Sequence, residues 1–281
     1  MLAGSFVPNL RRPLFQDARV RKAFNLAFNF EELNRTLFYG DYERINSFYY
    51  GLPLAASGLP QGRELEILDS VKDKVPPEVF TTPYANPDNG DPAKVRQNLQ
   101  KAIQLMAEAG YTLQGNRMVG KDGKQVSVEL LLNGPAVERM ALPYQQWLAK
   151  IGIAMTIRTA DSSQFQERLR TRDFDMIYTG WGQSNSPGNE QLDQWGSAAA
   201  DRDKSQNYAG IKDPEVDTII NDIIFSKDRD DQVAAVHALD RVMMAEQYVL
   251  PSYTYLPDRI AYWDRFGHPH PYPQFDIGFP T

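Results

Sequence analysis

The stretch "VSVELLLNGPAVERMALPYQQWLAKIGIAMTIRTADSSQFQERLRTRDFDMIYTGW", residues 126–181, decides the fold. Val126 to Leu132 is an apolar run of strand length, continuous enough to lie in the middle of a sheet. A helical segment follows with Pro143 inside it, then a second strand, "IAMTIRTA". "DSSQFQERLRTRD" reads as a helix capped by Asp161, and "FDMIYTGW" as a third strand. Strand, helix, strand, helix, strand in that order predicts βαβ units. The expected class is α/β, with a largely parallel sheet and right-handed crossovers.

Upstream, "NRMVGKDGKQVSVELLLN" suggests a hairpin turning at Asp122–Gly123, with the first central strand as its second arm. Before it, "DPAKVRQNLQKAIQLMAEAGY" carries Asp91 as cap, Pro92 at the first helical position and Gly110 as stop. Val95, Leu99, Ala102, Ile103, Met106 and Ala107 form its expected buried stripe. Residues 17–38 read as a helix capped by Asp17 with a bend near Phe28, followed by irregular surface chain through Pro60 and a short helix in "GRELEILDSVK". Downstream of residue 181, "DPEVDTIINDIIFS" and "DRDDQVAAVHALDRVMMAEQ" read as helices before the chain turns extended at "YVLPSYTYLPDRIAYW".

The third strand runs into "GWGQSNSPGNEQLDQWGS", residues 180–197, which shows neither helical nor strand period yet holds two of the four tryptophans. In open α/β sheets ligands favour the crevice beyond the carboxyl ends of the strands. That position favours a ligand-facing Trp181, while Trp195 reads equally as a contact or as packing. Gln183, Asn185, Asn189 and Gln191 suit recognition of peptide groups, because an amide both donates and accepts. A surface turn would use the same residues. Tyr49 and Tyr50, in "SFYYGLP", are weaker candidates.

Composition narrows the function. The chain has 281 residues, a net charge of −6 and no basic cluster, which argues against nucleic acid. With no cysteine, disulfides and thiolate chemistry are excluded. His237 sits in a helical run and His268 and His270 lie among prolines, so no metal or cofactor site is expected. The opening "MLAGSFVPNLRRP" lacks the features of a secretion signal, and no apolar run is long enough to span a membrane. Nucleophile elbow, P-loop, dinucleotide fingerprint and zinc-protease motifs are missing from the sequence. Glu190 and Asp193 could pair as catalytic carboxylates, so a hydrolase of peptides or sugars stands as the rival to a non-catalytic binder.

Four segments in order resemble one family. They are "PLFQDARVRKAFNLAFNFEELNRTLFYG", "DPAKVRQNLQKAIQLMAEAGYTLQGNRMVGKDGKQVSVELLL", "FDMIYTGWGQSNSPGNEQLDQWGSAAAD" and "NYAGIKDPEVDTIINDI". Together they are similar to the extracellular solute-binding proteins, family 5, of bacterial ABC importers for oligopeptides, dipeptides and nickel complexes. The loop wording "SPGNEQ…WGS" resembles the oligopeptide subgroup related to the importer of microcin-C-type peptides.

The resemblance implies a periplasmic, monomeric carrier with no cofactor, delivering oligopeptide-like solutes to ABC permease subunits. It implies the second lobe of a two-lobed Venus-flytrap protein, with a mixed, mainly parallel sheet over residues 1–250 and residues 251–281 returning toward a first lobe. That first lobe and the secretion signal would then be absent, and the half-site could fail to bind alone. Ligand contacts would come from Trp181, Gln183, Ser184, Asn185, Asn189, Glu190, Asp193, Trp195, Asn207, Tyr208 and Tyr178. Relatives place an aspartate three residues after the tryptophan to pair with a peptide's α-amino group, where this chain has Ser184. Some have an arginine three residues before it, where this chain has Tyr178. Glu190, Asp193 or the other lobe would have to supply the missing charge.

Overall fold

The computed structural model describes residues 2–255 together with Trp263 and Pro271. Its strands are β1 (Leu2–Pro8), β2 (Tyr42–Arg44), β3 (Thr112–Gln114), β4 (Arg117–Val119), β5 (Ser127–Asn133), β6 (Ala154–Ala160), β7 (Met176–Trp181), β8 (Leu250–Pro251) and β9 (Tyr253–Tyr255). The helices are α1 (Pro13–Gln16), α2 (Ala18–Ala27), α3 (Phe30–Leu37), α4 (Gly62–Asp69), α5 (Glu78–Thr81), α6 (Pro92–Glu108), α7 (Glu138–Lys150), α8 (Ser162–Arg170), α9 (Glu190–Gln194), α10 (Pro214–Ile224) and α11 (Arg229–Glu246).

The main sheet has the order β6-β5-β7-β1-β8. β5 pairs in parallel with β6 and β7, as the alternation predicts. β1 runs antiparallel between β7 and β8, so four of the five strands point one way. The chain steps from β5 out to β6, then back across β5 to β7. Crossovers of one hand must then leave their helices on opposite faces. α7 accordingly packs Tyr144, Trp147 and Leu148 with Leu130 and Leu132 on one face, together with Phe24 of α2 and Met106 of α6. On the other, Phe165 and Leu169 of α8 pack with Leu131 and Ile177, over α4, α10 and α11. β5 is apolar on both faces because both are covered.

Local signals explain most helix ends. Asp17, Asp91 and Asp161 each accept backbone N–H groups as caps, from Arg19, from Ala93 and Lys94, and from Gln164. The bend expected near Phe28 is a break, and Asn29 caps α3 by accepting from Glu32 N. Pro143 removes the amide that the Arg139 carbonyl would meet, but Arg139 lies at the surface, where water can replace it. Gly152, just past α7, has φ +80°, and a Cβ there would lie 2.4 Å from Met118 N. Only glycine allows the strand pair β3–β4 to close on that turn.

Three expectations need correcting. The turn expected at Asp122–Gly123 does close, Gly120 N donating to Lys124 O at 2.9 Å and Val119 pairing antiparallel with Gln125, but the pairing is brief, because β5 then leaves for the main sheet. A separate hairpin, β3–β4, turns just before it at Gly115–Asn116, with Gln114 opposite Arg117. Leu130, Leu131 and Leu132 need apolar cover on both faces, which a surface hairpin cannot give. The segment from Phe38 to Pro60 is irregular but not superficial. Ile45, Phe48, Tyr49 and Leu54 are buried, and Tyr42–Arg44 pairs with β9. Finally, the stripe of α6 is narrower than its periodicity suggests: Ala102 and Met106 are buried, Leu99 and Ile103 half-buried, and Ala107 exposed. The predicted extended segment after α11 begins as β8 and β9; His268, His270 and most of residues 256–281 lie outside the described residues.

Candidate ligand-binding site

The parallel strands β5, β6 and β7 end together at Asn133, Ala160 and Trp181, beside the amino end of β1, where Leu2 pairs with Trp181. Beyond this edge stand the turn at Gly134, the amino end of α8, and the chain from Gly182 to Ser197. That chain is less irregular than its sequence suggests, because Glu190–Gln194 forms α9.

Both tryptophans point inward. Trp181 is 3% exposed and Trp195 1%, with ring centroids 4.7 Å apart. Trp195 meets Phe48 edge-on at 5.2 Å, and Trp181 lies 5.5 Å from Tyr208. Trp181 Nε1 donates to the Gln206 carbonyl at 3.0 Å. Trp181, expected to face a ligand, is covered here by Trp195 and Tyr208. Burial of a large ring against its neighbours releases more apolar surface from water than an exposed loop position would.

A buried amide holds the shelf together. Gln191, fully buried, accepts at Oε1 from Tyr49 Oη (2.7 Å) and Trp195 Nε1 (3.0 Å). An indole N–H can only donate, so the amide's orientation is set. Its Nε2 then donates to Gln183 Oε1 at 3.1 Å, and Gln183 Nε2 donates to Gln194 Oε1 at 3.0 Å. Burial, then the nearby charges of Asp240 and Glu190, pushes the Tyr49 phenol well above its usual range, so it stays a donor.

The other expected residues divide by what already holds them. Asn207 is fully buried and satisfied: Nδ2 donates to the Gly196 and Ile211 carbonyls, and Oδ1 accepts from Gly210 N and Ile211 N. Asp193 is paired with Arg202 and accepts from Gln206 N. Tyr208 is half-buried between Trp181 and the guanidinium of Arg172. Tyr178 belongs to the opposite face of the sheet. It packs on Phe6 and over Gly4, where a Cβ would fall 2.2 Å from its hydroxyl, and it bonds toward Ser252 and Tyr253. Residues three apart on a strand must face opposite ways, which separates position 178 from position 181.

What remains toward solvent is a short polar rim. Ser184, Asn189 and Glu190 are exposed, and Gln183 and Asn185 half-buried. Glu190 Oε1 accepts from Gly188 N at 2.8 Å, Ser184 Oγ accepts from Ser186 N, and Asn185 Oδ1 is buried with no partner. From α11 and its approach, Arg229 donates to the Asn185 carbonyl and Gln232 to the Pro187 carbonyl, fixing the rim's backbone. Of the anchors, Tyr49 carried a weak sequence signal in "SFYYGLP"; Gln194, Arg229 and Gln232 carried none, since their partners are distant in sequence.

Residues 3–203, which include the polar rim and the whole βαβαβ core, match the family described as bacterial extracellular solute-binding proteins, family 5 Middle. The chain belongs to that family. It is 56% identical over 277 residues to "Probable peptide-binding protein YejA" of Agrobacterium fabrum, covering 98% of this chain and 45% of that protein. Identity is also 56% to protein y4wM of Sinorhizobium fredii, with 98% and 42% covered. In fold it is similar to the oligopeptide-binding protein AppA of Bacillus subtilis, solved with a nonapeptide. There the TM-score is 0.68 at 23% identity, over 90% of this chain and 44% of that one. The chain thus spans less than half the length of these relatives. Its α/β lobe, with a mixed sheet flanked by helices, is the periplasmic-binding-protein architecture anticipated from the sequence.

Proposed function

We propose that the chain forms one ligand-binding lobe of a non-catalytic solute-binding protein that receives oligopeptide-like solutes in the periplasm and passes them to an ABC permease. The observation that carries this is the polar rim at the carboxyl ends of β5, β6 and β7, inside the segment that matches the family, its backbone held by Arg229 and Gln232. Trp181, Trp195, Asn207 and Asp193 build the shelf, with Tyr208 against its base. Gln183, Ser184, Asn185, Asn189 and Glu190 meet the solute. Asp193 is engaged with Arg202, so Glu190 is the shelf's acid for a peptide ammonium. Such a charge-assisted bond contributes about 1.5–3 kcal/mol.

The test is titration with a pool of di- to octapeptides, followed by tryptophan fluorescence and by mass spectrometry of the recovered peptides. Saturable binding of intact peptides, weakened by Glu190→Gln, is expected. Cleaved products would replace the carrier with a hydrolase. No binding by this chain, nor by it joined to the remainder of the protein, would remove the peptide assignment.

A further inference from the structure

A cavity of about 400 Å³ opens between α2, α5 with the chain after it, α6 and the end of α11. Leu26, Val79, Pro83, Leu105, Met244 and Ala245 give it mostly apolar walls, and none of its lining residues belongs to the strand-end shelf. The volume falls within the range of small-molecule sites, about 300–1,000 Å³.

Four charged side chains border it: Lys22, Glu78, Lys101 and Arg241. Three are balanced within the protein. Lys22 meets Glu78 at 2.5 Å. Arg241 is paired with buried Glu64, and its other nitrogens donate to the Ser57 and Gly58 carbonyls at 2.7 and 2.8 Å. Lys101 is the exception. It is exposed, and among the described residues no acceptor is bonded to its ammonium. It stands on α6 four residues before half-buried Leu105, so the two share a face of the helix with their Cβ atoms about 6 Å apart. The ammonium therefore marks the solvent end of the cavity, and Leu105 begins the wall that leads inward to buried Met244.

We propose that this cavity is a second binding site, for a small amphipathic anion whose alkyl chain lies against the apolar walls and whose carboxylate meets Lys101. The tail leaves water, which supplies the driving force. The head group stays at an exposed ammonium, so it keeps part of its hydration and escapes the penalty of a buried charge. A neutral apolar molecule would leave the unbalanced cation unused. An extended peptide would bring amide groups to apolar walls, and each one left unpaired would count against binding. The proposal stands apart from the carrier function, because its site and its ligand chemistry are different.

Met244 supplies a reporter. With ¹³C-methyl methionine in the intact chain at low ionic strength, we would titrate sodium octanoate and, separately, octan-1-ol, which has the same chain without the charge. Octanoate should shift the Met244 methyl saturably. Lys101→Gln should weaken octanoate about threefold and Lys101→Glu about tenfold, the scale of an exposed ion pair and of its reversal. Neither variant should change the affinity for octan-1-ol. Leu105→Trp, which fills the cavity from the half-buried face of α6, should abolish the shift while the melting curve stays cooperative. A Met244 methyl that octanoate leaves unmoved would overturn the proposal. So would an octanoate affinity indifferent to both Lys101 variants, an equal loss for octan-1-ol, or a shift that survives Leu105→Trp. Peptides need not bind for any of these outcomes to be read.

Discussion

Replacing Gln191 with leucine removes the acceptor that serves Tyr49 Oη at 2.7 Å and Trp195 Nε1 at 3.0 Å, both in buried surroundings. Leucine is of similar volume, so the cavity term is small and the cost lies in the orphaned donors. Each unpaired buried donor costs about 1–3 kcal/mol, and the added apolar burial returns part of it. A net loss of about 3 kcal/mol corresponds to a fall of roughly 6–12 °C in the thermal midpoint for a chain of this size. The cause can be isolated with Tyr49→Phe, which removes one of the two donors. In the double variant the phenol no longer needs a partner, so the combined loss should be smaller than the sum of the single losses by about 1 kcal/mol or more. Urea unfolding of the four proteins, followed by tryptophan fluorescence, measures the cycle. A loss below about 1 kcal/mol for Gln191→Leu, or strict additivity in the cycle, would refute the account of Gln191 as the anchor of the shelf.

Two other predictions concern the buried carboxyl of Asp240 and two glycine turns. Asp240 is fully buried and accepts from Phe48 N (2.7 Å), Ser47 Oγ (2.7 Å) and Ala56 N (2.9 Å). Burial pushes its carboxyl up to about 6 despite those donors. The folded chain therefore holds this proton more tightly than the unfolded chain, whose value is 3.8. Its contribution is complete below about pH 4 and lost above about pH 6, a span of about 3 kcal/mol. Against Asp240→Asn, the unaltered protein's unfolding free energy should fall by that amount from pH 4 to pH 7; parallel profiles would contradict it. Gly152→Ala should cost more than Gly134→Ala. Both positions have positive φ, near +80°, but only at Gly152 would a Cβ collide, with Met118 N, while at Gly134 nothing lies within 4 Å. At Gly134, whose ψ of 172° puts it in a region nearly restricted to glycine, backbone strain alone costs about 1–3 kcal/mol, so Gly134→Ala should stay within that range and Gly152→Ala exceed it in thermal unfolding.

Much of the fold was legible because its signals are local. The caps at Asp17, Asp91 and Asp161 act within three residues, and the strand–helix alternation from Val126 to Trp181 repeats on a scale that periodicity captures. Family membership, too, was readable from the order of four segments. The place of the shelf followed from the same alternation, since it had to lie past the end of the third strand. Its chemistry did not follow. The sequence offered Trp181 as a ligand contact, and its burial depends on Trp195, Tyr208 and the Gln206 carbonyl, which a fold must first assemble. Position 178 was grouped with position 181 by spacing from the tryptophan, and the pleat puts them on opposite faces.

By itself, then, the sequence determined the α/β class, the elements of the core and the edge of the sheet beyond which the shelf lies. Those depend on propensity, capping and periodicity, all of which act between neighbours in the chain. Tertiary structure alone decided that β1 enters antiparallel between β7 and β8, although about 170 residues separate Phe6 from its partner Tyr178. It also decided that Phe48 and Tyr49 leave an apparent surface loop to pack under the shelf. The same is true of Gln191, a buried keystone with the sequence signature of any surface amide. A hydrogen bond between groups 142 residues apart leaves no local trace. It exists only because the packed sheet and helices bring both ends to one place, where water no longer competes for them.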